Sequence, residues 1–278
     1  MTGRRERLRY GGAWFSAASG LPLDGGLTEP RRLTRLLGSG LSQPRRLIAL
    51  LAFLLGAPKL DVRLSASSQG RLLQDYFSRR FLGVFPQSRL CRAVLVLPSD
   101  AADYLRGRDR HALRNNLGRA RRAGIGCSEL DDPTEALTIM QAAWRHREPD
   151  VNAANLASMS TRWSAILGRP EVTMHVARGP AGEPLGVVAG VIDEQVCLLR
   201  TALATTHEAR WALHQHLVRE LIDRRVRYLI SHDDGPFGAL ALDPSLHYYQ
   251  QLLGYQVCHI RPVGPRRRAR STERHPLR

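Results

Sequence analysis

Three stretches of the chain carry residue types that can do chemistry. The first is His232–Asp233–Asp234, which follows the apolar run Val226 to Ser231 and precedes Gly235 and Pro236. A strand over that run leaves the three side chains at its carboxyl end, where open sheets place ligands. An imidazole titrates near neutrality, so His232 can take a proton, with Asp233 orienting it or holding a cationic acceptor. The same five residues, HDDGP, also suit a plain polar turn. The second stretch runs from Gln195 to Arg224. Val196 to Leu203 is apolar, broken by Arg200 and Thr201, as in a strand covered on both faces. Leu213, Leu217, Val218, Leu221 and Ile222 then recur at helical spacing. Thr205 or Thr206 can cap that helix, and Glu208 puts a negative charge in its first turn. Free amides at such a junction make a natural anion site, although an ordinary crossover has the same signature. The third stretch, Asp100 to Gly124, reads as one arginine-rich helix. Leu105, Leu113, Leu117 and Ala120 or Ala123 form its apolar stripe. Its arginines can hold phosphates or simply face solvent.

Regular changes of period supply the elements that position these residues. Leu60 to Ser65 alternates as a half-buried strand, Gln69 to Leu82 reads as a helix, and Leu90 to Leu97 as a strand stopped by Pro98. A short strand follows at Ile125 to Leu130, then helices over Pro133 to Arg147 and Ala153 to Leu167. Strands are predicted at Val172 to Ala177 and Leu185 to Ile192, with Asp193 and Glu194 forming a tight hairpin into the next strand. The last elements are a helix over Ser245 to Leu253, closed by Gly254, and a strand from Tyr255 to Arg261. Residues 1–30 and the tail after Pro262, with its PRRRAR, are expected to be poorly ordered, and residues 31–55 to hold one or two short helices.

Composition narrows the classes of function. The 278 residues are 43% hydrophobic, enough for a substantial core, and the net charge is +16. That charge points first to nucleic acid or an anionic membrane. Its distribution weakens the inference. Residues 1–46 carry nine arginines against three acids, and residues 261–278 seven against one, leaving +4 for the stretch between. Lys59 is the only lysine, a bias that genomic base composition can produce by itself. Cys91, Cys127, Cys197 and Cys258 lack metal-site spacing and read as buried free thiols. No metal is expected: His214 and His216, two apart on a helix, diverge. The apolar run Leu47 to Leu55 is far shorter than the ~20 residues of a membrane span. Flanked by Arg45, Arg46 and Lys59, it suits a core helix or a membrane surface. With no apolar segment of signal type near the basic start, a cytoplasmic protein is expected, with peripheral membrane contact as the other option.

The order strand, helix, helix, three strands, helix, strand, helix, strand over Ile125 to Pro262 resembles the GNAT N-acyltransferase fold. The segment RNNLGRARRAGI, Arg114 to Ile125, looks like the corresponding part of Fem-type aminoacyl transferases of the same superfamily. The closing SLHYYQQLLGYQV is similar to the family's last helix and strand. The resemblance implies an α/β (α+β) fold, a mixed central sheet flanked by helices. A disordered basic segment (1–30) and a small N-terminal α/β extension (31–124) would precede it, and a disordered basic tail (263–278) would follow. It implies acyl transfer from acyl-CoA, or from a charged tRNA, to a small-molecule or peptide-like amine. The donor pyrophosphate would sit on the amides of Thr206 to Leu213, including Thr206, Arg210, Trp211 and Ala212, with the pantetheine arm along Leu199 to Leu203. His232 and Asp233 would serve as base and orienting acid. Tyr249 or Tyr248 lies near the family's proton-donating tyrosine, although alignment on Gly254 puts Gln250 there. The family's Arg/Gln-x-x-Gly-x-Gly/Ala turn is altered: Ala212 and His214 occupy the glycine positions, with Arg210 beside the Arg/Gln. A degenerate, non-catalytic fold of this kind that binds RNA or an anionic membrane is the alternative.

Overall fold

Ten strands and seven helices make up the described part of the chain. The structure, a computed structural model, describes residues 56–78, 80–81, 85–86, 91–231 and 244–264. The expectations for 1–55, for His232 to Pro236 and for the tail from residue 265 fall outside those residues; Val263, placed in the tail, instead ends β10 and pairs with Arg63. Eight strands form one mixed sheet: β1 (Lys59–Arg63), β4 (Cys91–Val96), β5 (Gly126–Glu129), β6 (Val172–Arg178), β7 (Pro184–Asp193), β8 (Val196–Ala204), β9 (Tyr228–Ser231) and β10 (Gln256–Val263). Their spatial order is β1-β10-β4-β9-β8-β7-β6-β5. A short ribbon, β2 (Arg80–Phe81) with β3 (Phe85–Pro86), stands apart. The helices are α1 (Ser68–Ser78), α2 (Ala101–Tyr104), α3 (His111–Arg122), α4 (Pro133–Arg147), α5 (Ala153–Leu167), α6 (His207–Asp223) and α7 (Pro244–Leu253). A mixed sheet flanked by helices is the fold class the sequence suggests.

Both faces of the sheet are covered, which explains the continuous apolar runs. Val187, Ala189 and Val191 of β7 join Phe77 of α1, Met140 of α4 and Leu167 of α5 on one face. Val188 faces the opposite core with Leu113 and Leu117 of α3 and Leu217 and Leu221 of α6. Residue 124/125, read as a boundary, does not divide this sheet. β4 lies between β10 and β9, and β1 pairs in parallel with β10. The cause is alternation: Val94 is buried in the first core and Leu95 in the second, so β4 needs cover on both sides.

The arginine-rich stretch is not one helix. Gly107 (φ 99°) breaks it between α2 and a short 3₁₀ turn, Arg108–Arg110, that leads into α3. A backbone at that φ favours glycine and cannot continue an α-helix. Arg114 holds the break by donating to the carbonyls of Leu105 (2.7 Å) and Gly107 (2.8 Å). The hairpin turn also shifts by one residue. Asp193 pairs with Val196 as the last ladder position, and Glu194, with positive φ, turns the chain. The buried Asp193 carboxylate instead accepts from the Ser65 amide (2.8 Å) and the Ser65 and Ser67 hydroxyls. Gly254 closes α7 at φ 86°, with the Arg110 guanidinium packed where a Cβ would stand. Among the described residues no helix is long and apolar enough to cross a membrane. Cys127, Cys197 and Cys258 are free thiols. Burial pushes Cys127 and Cys258 up to about 11, which keeps them protonated and poorly nucleophilic at neutral pH.

Candidate functional site

The candidate site forms where β8 turns into α6, beside the last described residues of β9. β8 and β9 pair in parallel from Val196↔Tyr228 to Leu199↔Ser231. Beyond Leu199, β8 continues alongside β7 to Ala204 but has no β9 partner among the described residues. A bulge lies next to the last described pair: Leu199 pairs with Gly190 and Thr201 with Ala189, leaving Arg200 as the extra residue. Such a bulge bends its strand and re-aims the side chains around it. The stretch from Arg200 to Ala204, without a β9 partner among the described residues, then leads into α6 through only two residues, Thr205 and Thr206. Thr205 ties this turn to β7, donating to the Leu185 carbonyl through its amide (2.8 Å) and hydroxyl (3.1 Å).

Thr206 is the N-cap of α6, its hydroxyl accepting from the Ala209 amide at 3.1 Å. The amides of His207 and Glu208 have no partner among the described residues, so the end of a 17-residue helix presents two donors beside the end of β8. The Glu208 carboxylate opposes anions there, but Arg119 of α3 lies 2.8 Å from it and offsets its charge. Two positively charged groups lie further along. The Arg210 guanidinium covers the Tyr249 ring at 3.9 Å, and Arg200 lies 5.4 Å from the Tyr76 ring centre. Arg92 of β4 lies 5.8 Å from the same ring.

The residues expected to hold a donor take different places. Thr206 caps the helix, and Arg210 and Ala212 are half-buried on its first two turns. Leu203 points into the first core from the end of β8. The Trp211 indole is fully buried and donates to His207 Nε2 at 2.6 Å, so it braces the first turn from beneath. Tyr249 packs edge-on against Trp211 (4.8 Å between centres) and donates to the Arg210 carbonyl at 3.4 Å. Burial pushes its phenol up to about 12, against the lowering effect of Arg210. Gln250, its neighbour, is buried and donates to Ser231 Oγ at 3.3 Å. That bond ties α7 to the last described residue of β9, directly before His232 and Asp233, which lie outside the described residues.

His214, at a position the family gives to glycine, belongs to the core. Its Nε2 lies 3.1 Å from the Tyr104 hydroxyl, which donates to the Leu253 carbonyl, so α2, α6 and α7 meet on one buried polar chain. The Tyr104 proton is used on Leu253, which leaves His214 Nε2–H as the donor to Tyr104. Burial, with Arg210 and Arg110 nearby, pushes His214 down to about 3. His216 and Glu220, one helical turn apart, meet His175 of β6 in a cluster that sequence spacing does not show, because β6 is distant in the chain. Burial holds His175 below its usual range, against the pull of the Glu220 carboxylate.

No protein-family model matches the chain, and no curated protein matches it. Solved structures do overlap it in part. A conserved protein of unknown function from Bacteroides thetaiotaomicron matches at 15% identity and TM-score 0.45, over 61% of this chain and 60% of that one. The C-terminal domain of a protein described as a lysylphosphatidylglycerol synthetase, from Agrobacterium fabrum, matches at 11% identity and TM-score 0.42, over 60% and 57%. A GCN5-related N-acetyltransferase from Ralstonia eutropha matches at 16% identity and TM-score 0.35, over 46% and 91%. The chain thus spans about 60% of the length of the first of these and 57% of the second. Each overlap is partial and each identity low, so the chemistry has to be read from this chain's own residues.

Proposed function

We propose that the protein is an N-acyltransferase of GNAT type, and one observation carries that reading. Past Leu199↔Ser231, beside the Arg200 bulge, β8 has no β9 partner among the described residues, and that edge runs straight into the capped N-terminus of α6. An extended donor arm can lie along that edge by strand-like hydrogen bonding while its diphosphate meets the His207 and Glu208 amides. Acyl-CoA has that shape; the 3′ end of an aminoacyl-tRNA is the other donor the site would take. His232, the residue that follows Ser231 in the chain, takes the proton of the acceptor amine, with Asp233 orienting the imidazole. The amine attacks the donor carbonyl, and the donor leaves as a thiolate or ribose alkoxide that must be protonated. Tyr249 keeps its proton through the physiological range, and donation requires it to exchange the Arg210 carbonyl for the leaving group.

Native mass spectrometry of the protein purified from its own cells tests the donor. A bound mass of CoA or an acyl-CoA supports the reading as stated. Co-purifying tRNA, with no CoA, transfers the donor role to aminoacyl-tRNA.

A further inference from the structure

We propose that His175, His216 and Glu220 form a binding site for one divalent cation of the zinc class. The site is separate from the end of β8: His216 lies ten residues past the Thr206 cap, about 15 Å along the axis of α6. His175 is 1% exposed on β6 and faces α6. Its Nε2 lies 3.1 Å from Glu220 Oε2 without the alignment of a hydrogen bond, and Nδ1 has no partner among the described residues. A buried imidazole with neither nitrogen satisfied costs stability, and a cation on Nε2 would remove half of that cost. The His216 ring stands edge-on to His175 with centres 5.1 Å apart, and one donor atom from each of the three residues lies within 4.8 Å of the others.

These distances fit a tetrahedral ion. Zinc bonds of about 2.0–2.2 Å set neighbouring donor atoms about 3.3–3.6 Å apart. The His175–Glu220 edge is already close to that span, and the half-buried His216 side chain can close the remainder by rotating toward it. Two imidazoles and one carboxylate select a borderline ion, since magnesium and calcium take oxygen donors. Surrounding charges are arranged to orient the donors. Arg224 Nη2 lies 2.6 Å from the other Glu220 oxygen, and Glu129 of β5 is directly across the ladder from His175 on the same face. A bound ion would clamp α6 to β6, and a water would complete its shell.

The test uses the full chain, stripped with a chelator and titrated with Zn²⁺ by calorimetry, and with Co²⁺ as an absorbing substitute. The expected result is one equivalent of Zn²⁺ bound with a micromolar or tighter Kd, the visible absorption of tetrahedral Co²⁺, and a Tm raised by several degrees. His216→Ala, at a half-buried position that leaves the core intact, should weaken binding at least tenfold. His146→Ala, an exposed histidine on α4, should not change it. Absence of stoichiometric binding by the intact chain, or equal affinity in His216→Ala, would overturn the site.

Discussion

His232→Gln is expected to lower turnover by about 10²–10⁴-fold while leaving donor affinity nearly unchanged, the loss typical of a removed general base. The reason is positional. Ser231, the last described residue of β9, pairs with Leu199 of β8, and Gln250 holds it by a bond to Ser231 Oγ. His232 is the next residue of the chain, and the proposed reaction has it act on an amine that meets a donor carbonyl lying along Arg200–Ala204. A base acts only when neutral, so activity should rise with pH through the imidazole titration, ordinarily near 6.5, and flatten above it. Steady-state rates from pH 5 to 9 for both proteins check this. A variant of wild-type rate would remove His232 as base.

Acid should destabilise the fold through His214. Its imidazole is pushed down to about 3 in the folded chain, against an ordinary 6.5 when unfolded. Between those values the unfolded chain binds a proton that the folded chain does not. Stability is therefore fully present above about pH 6.5, falls as pH drops through the window, and levels off below about 3. The difference corresponds to a ceiling of about 5 kcal/mol, a large share of the stability of an ordinary domain. His175, also held low by burial, adds with the same sign. Urea midpoints from pH 7.5 to 4 give the slope. His214→Gln keeps a donor for Tyr104 and has no charge to gain, so its slope should be clearly shallower. Equal slopes would mean that His214 is not the group responsible.

Local signals were readable where the physics is local. The cap at Thr206, the period change into α6 and the positive-φ glycine that closes α7 all follow from a few adjacent residues. The apolar runs between Val172 and Leu203, separated by turn-forming residues, give three successive antiparallel strands, since strands covered on both faces read as continuous apolar runs. What sequence missed depends on contacts between distant segments. Nothing near Cys91–Val96 shows that this strand slots between β10 and β9. His214 looks like a departure from a glycine turn until Tyr104, 110 residues away, supplies its partner. The spacing argument rightly separates His214 from His216. It says nothing of His175, although His216 and Glu220 at i and i+4 were a visible half of that cluster. The arginine-rich stretch reads as one helix because Gly107 breaks it through φ, which composition does not reveal. Its arginines then turn out to have structural roles: Arg110 on the Leu252 carbonyl, Arg114 at the break, Arg119 on Glu208.

Calorimetric titration of the full chain with CoA and acetyl-CoA, beside the variant His207→Glu, tests the proposed donor site most directly. A glutamate at the first position of α6 suits the helix end, so the variant should fold, while its charge opposes a diphosphate on the His207 and Glu208 amides. The expected result is binding by the wild-type chain and at least a tenfold weaker affinity in the variant. No binding by the wild-type chain, or the same affinity in both, would contradict a diphosphate-bearing donor held at this helix end.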